Sequence, residues 1–221
     1  MNAVLRAAAA EFIATAFLLM AVVGSGIAAE KLSGGNAGLA LLANAIATGA
    51  ALFALILVFS PLSGAHMNPV VTAAAVALGG LGYVAALAYV AAQVAGGIAG
   101  VWLAHVMFDL PVIELGTHVR SGAGQWVAEI VATLGLLTVI WGCLSRETAA
   151  AAGAVAAYIA SAYWFTASTS FANPAVTIAR SLTDTFAGIR PADAPGFILA
   201  QIAGLLIALP LLRTLFVRSR A

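Results

Sequence analysis

Six apolar runs, at about 7–29, 38–60, 82–107, 123–144, 149–168 and 195–217, constrain this chain more than any other feature. A helix needs roughly 20 apolar residues to cross about 30 Å of hydrocarbon, and all six runs approach or exceed that length. Inside a bilayer every backbone N–H and C=O has to find a partner within the protein. Runs of this length therefore read as membrane-spanning helices, and the chain as an all-α membrane protein.

Charge supports the same reading. Only 8% of the 221 residues are charged and 63% are hydrophobic, whereas a soluble domain carries roughly 25% charged residues. The polar surface needed to cover a globule in water is missing. A net charge of +1 provides no extended basic surface, which excludes nucleic acid as a partner. Abundant alanine and glycine suit helices that approach closely in lipid. The single cysteine, Cys143, lies in an apolar run and reads as a buried thiol. Near the N-terminus, Arg6 and the apolar run up to Ala28-Ala29 imitate a signal peptide. That run is too long for one and contains Glu11, so it reads as the first permanent span.

Two connections, 61–81 and 169–194, are too apolar to be ordinary loops. Each contains Asn-Pro, as Asn68-Pro69-Val70 and Asn173-Pro174-Ala175, followed by a small apolar stretch. Asparagine is a favoured N-cap and proline fits the first helical turn. Asn68 to Leu78 predicts about 16 Å of helix and Asn173 to Leu182 about 15 Å, each close to half a hydrocarbon core. Two such half-helices, meeting head to head, replace one span.

The halves also match elsewhere. Ala10-Glu11-Phe12-Ile13-Ala14-Thr15 pairs with Ala128-Glu129-Ile130-Val131-Ala132-Thr133, and Gln93-Val94-Ala95-Gly96 with Gln201-Ile202-Ala203-Gly204. A single unit over residues 1–221 thus contains two repeats, about 7–107 and about 123–217. Each has three spans and a half-helix, and an odd number of spans inverts the second copy, as in many channels and transporters. Six spans place both termini on one side. Arg6, Arg146, Arg213, Arg218 and Arg220 lie there, while Lys31, Arg120 and Arg190 mix with Glu30, Asp109, Glu114, Asp184 and Asp193 opposite. The positive-inside rule makes the termini cytoplasmic.

Few residues could carry chemistry. Glu11 and Glu129 lie within spans and need partners, either as a proton relay or as acceptors for irregular backbone in a re-entrant loop. Asn68 and Asn173 read as caps whose amide groups face a lumen, since an asparagine has both an acceptor and two donors. His66 is a gate, a ligand or a loop stabiliser. His105 and His118 have no Cys, Asp or Glu at a metal-binding spacing, and no nucleophile-elbow signature is present. The sequence implies no enzyme, no cofactor and no metal.

The paired boxes, the two Ala-Glu spans and the Ser63-Gly64-Ala65-His66 lead-in together resemble the aquaporin (major intrinsic protein) superfamily over essentially the whole chain. The resemblance implies six tilted helices, two re-entrant half-helices, one pore per subunit, a homotetramer, and water and small neutral solutes as cargo. It also carries a departure. Water-selective and glycerol-conducting members usually have arginine after the second box, where this chain has Val176, and Arg180 is the nearest arginine. An ungapped count places the other constriction positions on Thr48, Ser161 and Ser170. All four residues are small, which implies a wide constriction without arginine. Such a ring suits glycerol, urea, boric acid or arsenous acid, and valine here resembles a bacterial branch associated with arsenite. An alanine-rich chain with short tails suggests a bacterial inner membrane. Two alternatives stand beside this reading: a water-selective channel, and an ion-coupled transporter with broken helices.

Overall fold

The computed structural model describes residues 2–216. Among these, eight α-helices follow in chain order: α1 (Ala3–Leu32), α2 (Ala37–Ser63), α3 (Pro69–Ala77), α4 (Tyr83–Met107), α5 (Ala123–Cys143), α6 (Thr148–Phe165), α7 (Pro174–Arg180) and α8 (Ala194–Leu215). A single 3-10 turn, Pro191–Asp193, leads into α8. Six helices (all but α3 and α7) are long and apolar enough to cross a membrane. Val217, Arg218 and Arg220, which the sequence reading placed at the end of the last span and beyond it, lie outside the described residues.

The long helices cross close to their expected limits, with one instructive exception. The fifth run extends to residue 168, but α6 ends at Phe165 because Thr166 turns to an extended backbone. From there the chain enters the second re-entrant loop. Asn68 and Leu78 cap α3 at the expected limits, with nine helical residues between them, whereas α7 has only seven and ends at its cap Ser181. Carbonyl capture ends α7 early: Leu182 N–H donates to Ala179 and Ile189 N–H to Arg180. Gly79, at φ 78°, turns the chain out of α3.

Helix pairs repeat with the sequence. α1 packs against α4 in the first half, and α5 against α8 in the second. The first contact is so close that a Cβ on Gly96 or Gly100 would collide with the carbonyl of Phe12 or Ala16. In the second, a Cβ on Gly204 would lie 2.8 Å from the Ile130 carbonyl oxygen. Without a hydrophobic drive between helices in lipid, such small residues allow the backbone contacts that hold the pairs together. Asn44 adds polar glue between α2 and α1, donating to the Val22 carbonyl at 2.8 Å. Large apolar side chains such as Ile46, Leu103, Val127 and Leu206 face outward, as a lipid-facing surface requires.

Candidate functional site

The two half-helices begin at the same point and run apart. Asn68 caps α3, its side-chain oxygen accepting from Val70 N–H at 3.0 Å. Asn173 caps α7, accepting from Ala175 at 3.0 Å and Val176 at 3.3 Å. The amide groups then cross between repeats: Asn68 Nδ2 donates to the Ala172 carbonyl at 2.8 Å, and Asn173 Nδ2 to that of Met67 at 2.7 Å. An amide nitrogen has two hydrogens, so each asparagine keeps one donor beyond this crossed pair.

The loops ahead of the caps hold a backbone that side chains rarely adopt. Ala65 and Met67 have φ of 51° and 48°, and Ser170 and Ala172 have 52° and 47°. Non-glycine residues in this left-handed region are strained and persist only where the surroundings over-determine them. A buried carboxylate does so in each repeat. Glu11 accepts from the N–H groups of His66 at 2.9 Å and Met67 at 2.6 Å, and Glu129 from those of Phe171 at 2.9 Å and Ala172 at 2.8 Å. A glutamine completes each clamp. Gln93 donates to Glu11 at 2.7 Å and to Thr72 at 3.0 Å, while Gln201 donates to Glu129 at 2.6 Å and to Thr177 at 2.9 Å. The sequence reading matched these glutamines between repeats but assigned them no task.

His66 and Phe171 occupy equivalent places, two residues before each asparagine. His66 approaches Thr72 Oγ1 at 3.1 Å through Nδ1 and meets Tyr89 edge-on at 5.4 Å between centroids. Phe171 meets Phe197 in a similar edge contact.

Between the helices lies a cavity of about 630 Å³, and both asparagines and His66 line it. Two stripes form much of its wall: Thr48, Leu52, Ile56 and Ser60 on α2, and Val155, Ile159 and Tyr163 on α6. Steps of four keep side chains on one face of a helix. Thr48, Ser170 and Val176 also line the cavity, whereas Ser161 does not. Ser161 is exposed and bonds the Tyr158 carbonyl at 2.7 Å. Its assignment to the constriction is corrected by geometry, because two residues along a helix reach nearly the opposite face. Tyr163, two residues on, lines the cavity, its hydroxyl 3.2 Å from Thr48 Oγ1.

Arg180, which the sequence reading set apart from the constriction, lines the same cavity as Val176. The wall of that cavity therefore holds a guanidinium. Arg180 is 2% exposed, its guanidinium carbon lies 3.5 Å from the centroid of the Phe171 ring, and its Nε donates to the Ala187 carbonyl. Arg120 approaches the same ring at 5.2 Å and donates through Nε to Gly188 at 2.8 Å.

The remaining polar residues tie the outer loops together. His105 Nε2 lies 2.7 Å from Thr183 Oγ1 and its Nδ1 2.7 Å from the Pro111 carbonyl. His118 is exposed and 3.9 Å from Asp184, which accepts from Thr117 N–H at 2.9 Å. Asp193 accepts from Arg190 at 2.8 Å and from Arg120 N–H at 2.9 Å.

A model of the major intrinsic protein family matches residues 1–170, more than half of the sequence. The chain belongs to that family. This major intrinsic protein is 51% identical, over 97% of its length and 92% of the relative's, to the aquaglyceroporin AqpS of Rhizobium meliloti (strain 1021). It is 38% identical to aquaporin TIP1-1 of Zea mays over 62% of this chain and 56% of that one. Its fold is that of the aquaglyceroporin from Plasmodium falciparum, with a TM-score of 0.73 at 22% identity, covering 95% of this chain and 94% of the other. The comparisons make this major intrinsic protein an integral, multi-pass membrane channel for passive passage of water and small solutes, and not an enzyme.

Proposed function

We propose that the channel carries water together with small uncharged polar solutes: glycerol, urea and arsenous acid. The supporting observation is Val176, which lines the cavity together with Thr48 and Ser170 and stands where water-selective and glycerol-conducting members usually carry arginine. Valine occupies less width than a guanidinium-bearing chain and offers no donor there. Thr48, Tyr163 and Ser170 bring hydroxyl-bearing side chains to a lining they share with apolar Val176, Leu52 and Ile159. A compact neutral solute with several hydroxyls fits such a surface. The relative described as an aquaglyceroporin agrees with this solute class.

The N-termini of two half-helices at one level contribute a positive potential that opposes cations. Residues 1–221 act as one channel unit, assembled as a homotetramer in a bacterial inner membrane with cytoplasmic termini. Stopped-flow light scattering on proteoliposomes tests the solute reading. Glycerol and arsenite flux should exceed that of empty vesicles, and Val176→Arg should lower both while water flux persists. Water flux without any glycerol or arsenite flux would restrict the protein to water; saturable uptake driven by an ion gradient would make it a carrier.

A further inference from the structure

Arg180 is almost fully buried in a membrane protein, yet no carboxylate lies within ion-pair distance of it among the described residues. A guanidinium has five N–H donors. Among the described residues one of them, on Nε, is seen to donate to protein, to the Ala187 carbonyl. The Phe171 face stabilises the charge but accepts no conventional hydrogen bond. A buried charge left so incompletely paired is costly, and the open space beside Arg180 is the cavity it lines. That cavity is the space in which its terminal nitrogens can meet further partners.

Helix geometry explains how an arginine four residues late reaches this place. Val176 and Arg180 share one face of α7, a turn apart. Helical side chains lean toward the N-terminus of their helix, so a long side chain at 180 folds back over the turn that carries Val176. The Ala187 carbonyl and the Phe171 ring pin it there, and Arg120, anchored on Gly188 O, braces the same ring. Nearby, the buried Ser170 hydroxyl has no hydrogen-bond partner among the described residues.

We propose that Arg180 supplies, from one turn beyond Val176, the guanidinium that position 176 lacks, and that it recognises vicinal hydroxyls of neutral solutes while repelling cations. This rests on the solute-channel reading above. Two parallel N–H groups can meet two adjacent oxygens, and the displaced attachment leaves the width at Val176 free. The constriction is thus wide and cationic together.

The test compares glycerol with propane-1,3-diol, nearly the same shape but without adjacent hydroxyls, and adds methylammonium as a cation probe. All three are measured in proteoliposomes of the unmodified chain, Arg180→Leu and Arg180→Lys, and water flux above empty vesicles reports a folded channel. Arg180→Leu should lower the glycerol-to-diol flux ratio by about tenfold, the scale of a lost charge-assisted hydrogen bond, and should admit methylammonium. Arg180→Lys should continue to exclude methylammonium while losing most of the hydroxyl preference, because an ammonium lacks the fork. An unchanged ratio with methylammonium still excluded in Arg180→Leu overturns the proposal, as does loss of all water flux in both variants, which would make Arg180 a framework residue. An unmodified chain that carries water but neither glycerol nor the diol defeats the solute reading instead, and the methylammonium arm then still decides whether Arg180 guards the passage.

Discussion

Tyr163 and Thr48 share a hydrogen bond of 3.2 Å between their hydroxyls, joining α6 to α2 at the wall of the cavity. Both side chains are almost fully buried, at 3% and 2% exposure, and each hydroxyl has the other as its partner within the protein. Tyr163→Phe should lower stability by about 1 kcal/mol, read as an earlier thermal unfolding transition in detergent. Ser161→Ala, two residues away on the outer face, should leave both stability and solute flux unchanged. A flux defect in Ser161→Ala would return that residue to the channel wall.

Glu129 separates the two tasks open to an intramembrane carboxylate. Its oxygens accept from Phe171 N–H, Ala172 N–H and Gln201, all in support of a loop with left-handed residues at 170 and 172. Glu129→Gln replaces a charged acceptor with a weaker one and brings two hydrogens into a site already filled with donors. A loss of about 3 kcal/mol is expected, in the range for breaking a buried charged network. Glu11→Gln should behave similarly. The measurement is the fraction of monodisperse protein after heating, together with water flux at pH 6 and pH 8. A proton relay predicts full stability with altered pH dependence, the opposite pattern.

Gly96 and Gly100 bring α4 against the α1 backbone at Phe12 and Ala16. An alanine at either position meets a carbonyl rather than a flexible side chain, so relief requires the helices to separate. Gly96→Ala and Gly100→Ala should each cost about 2 kcal/mol or more. Gly124, where an added Cβ would meet nothing within 4 Å, serves as the control, and Gly124→Ala should be neutral in the same thermal assay. Equal behaviour of the three would show that the α1–α4 contact is looser than the structure describes.

Legibility in the sequence followed physical scale. Spans were readable because hydrocarbon demands a fixed length of apolar helix, and α2 and α4 begin and end within a few residues of the runs that announce them. Both half-helices were readable from Asn-Pro, since capping chemistry is local. The C-terminal end of α7 was not, because it stops where Ile189 N–H, nine residues further on, captures the Arg180 carbonyl. Ser170 and Val176 lie within three residues of Asn173, too near for a counting error to matter. Ser161 lies twelve residues away, where a slip of two residues reverses the face of a helix. Arg180 was visible but was judged by chain position, and the reach of an arginine side chain along its own helix exceeds a full turn. No residue type announced the left-handed backbone at Met67 or Ala172, since the strain is imposed by carboxylates more than forty positions away.

The exchanged amides of Asn68 and Asn173 have a consequence for biosynthesis. Met67 O and Ala172 O each wait for a donor from the opposite half, so the seam between the inverted repeats closes only when residue 173 arrives. A nascent chain halted after α4 holds a loop whose carbonyl has no mate, and the first repeat cannot mature on the ribosome alone. Insertion of the last two spans is then the event that seals the molecule, and truncations downstream of α4 should be cleared by quality control as unfinished protein.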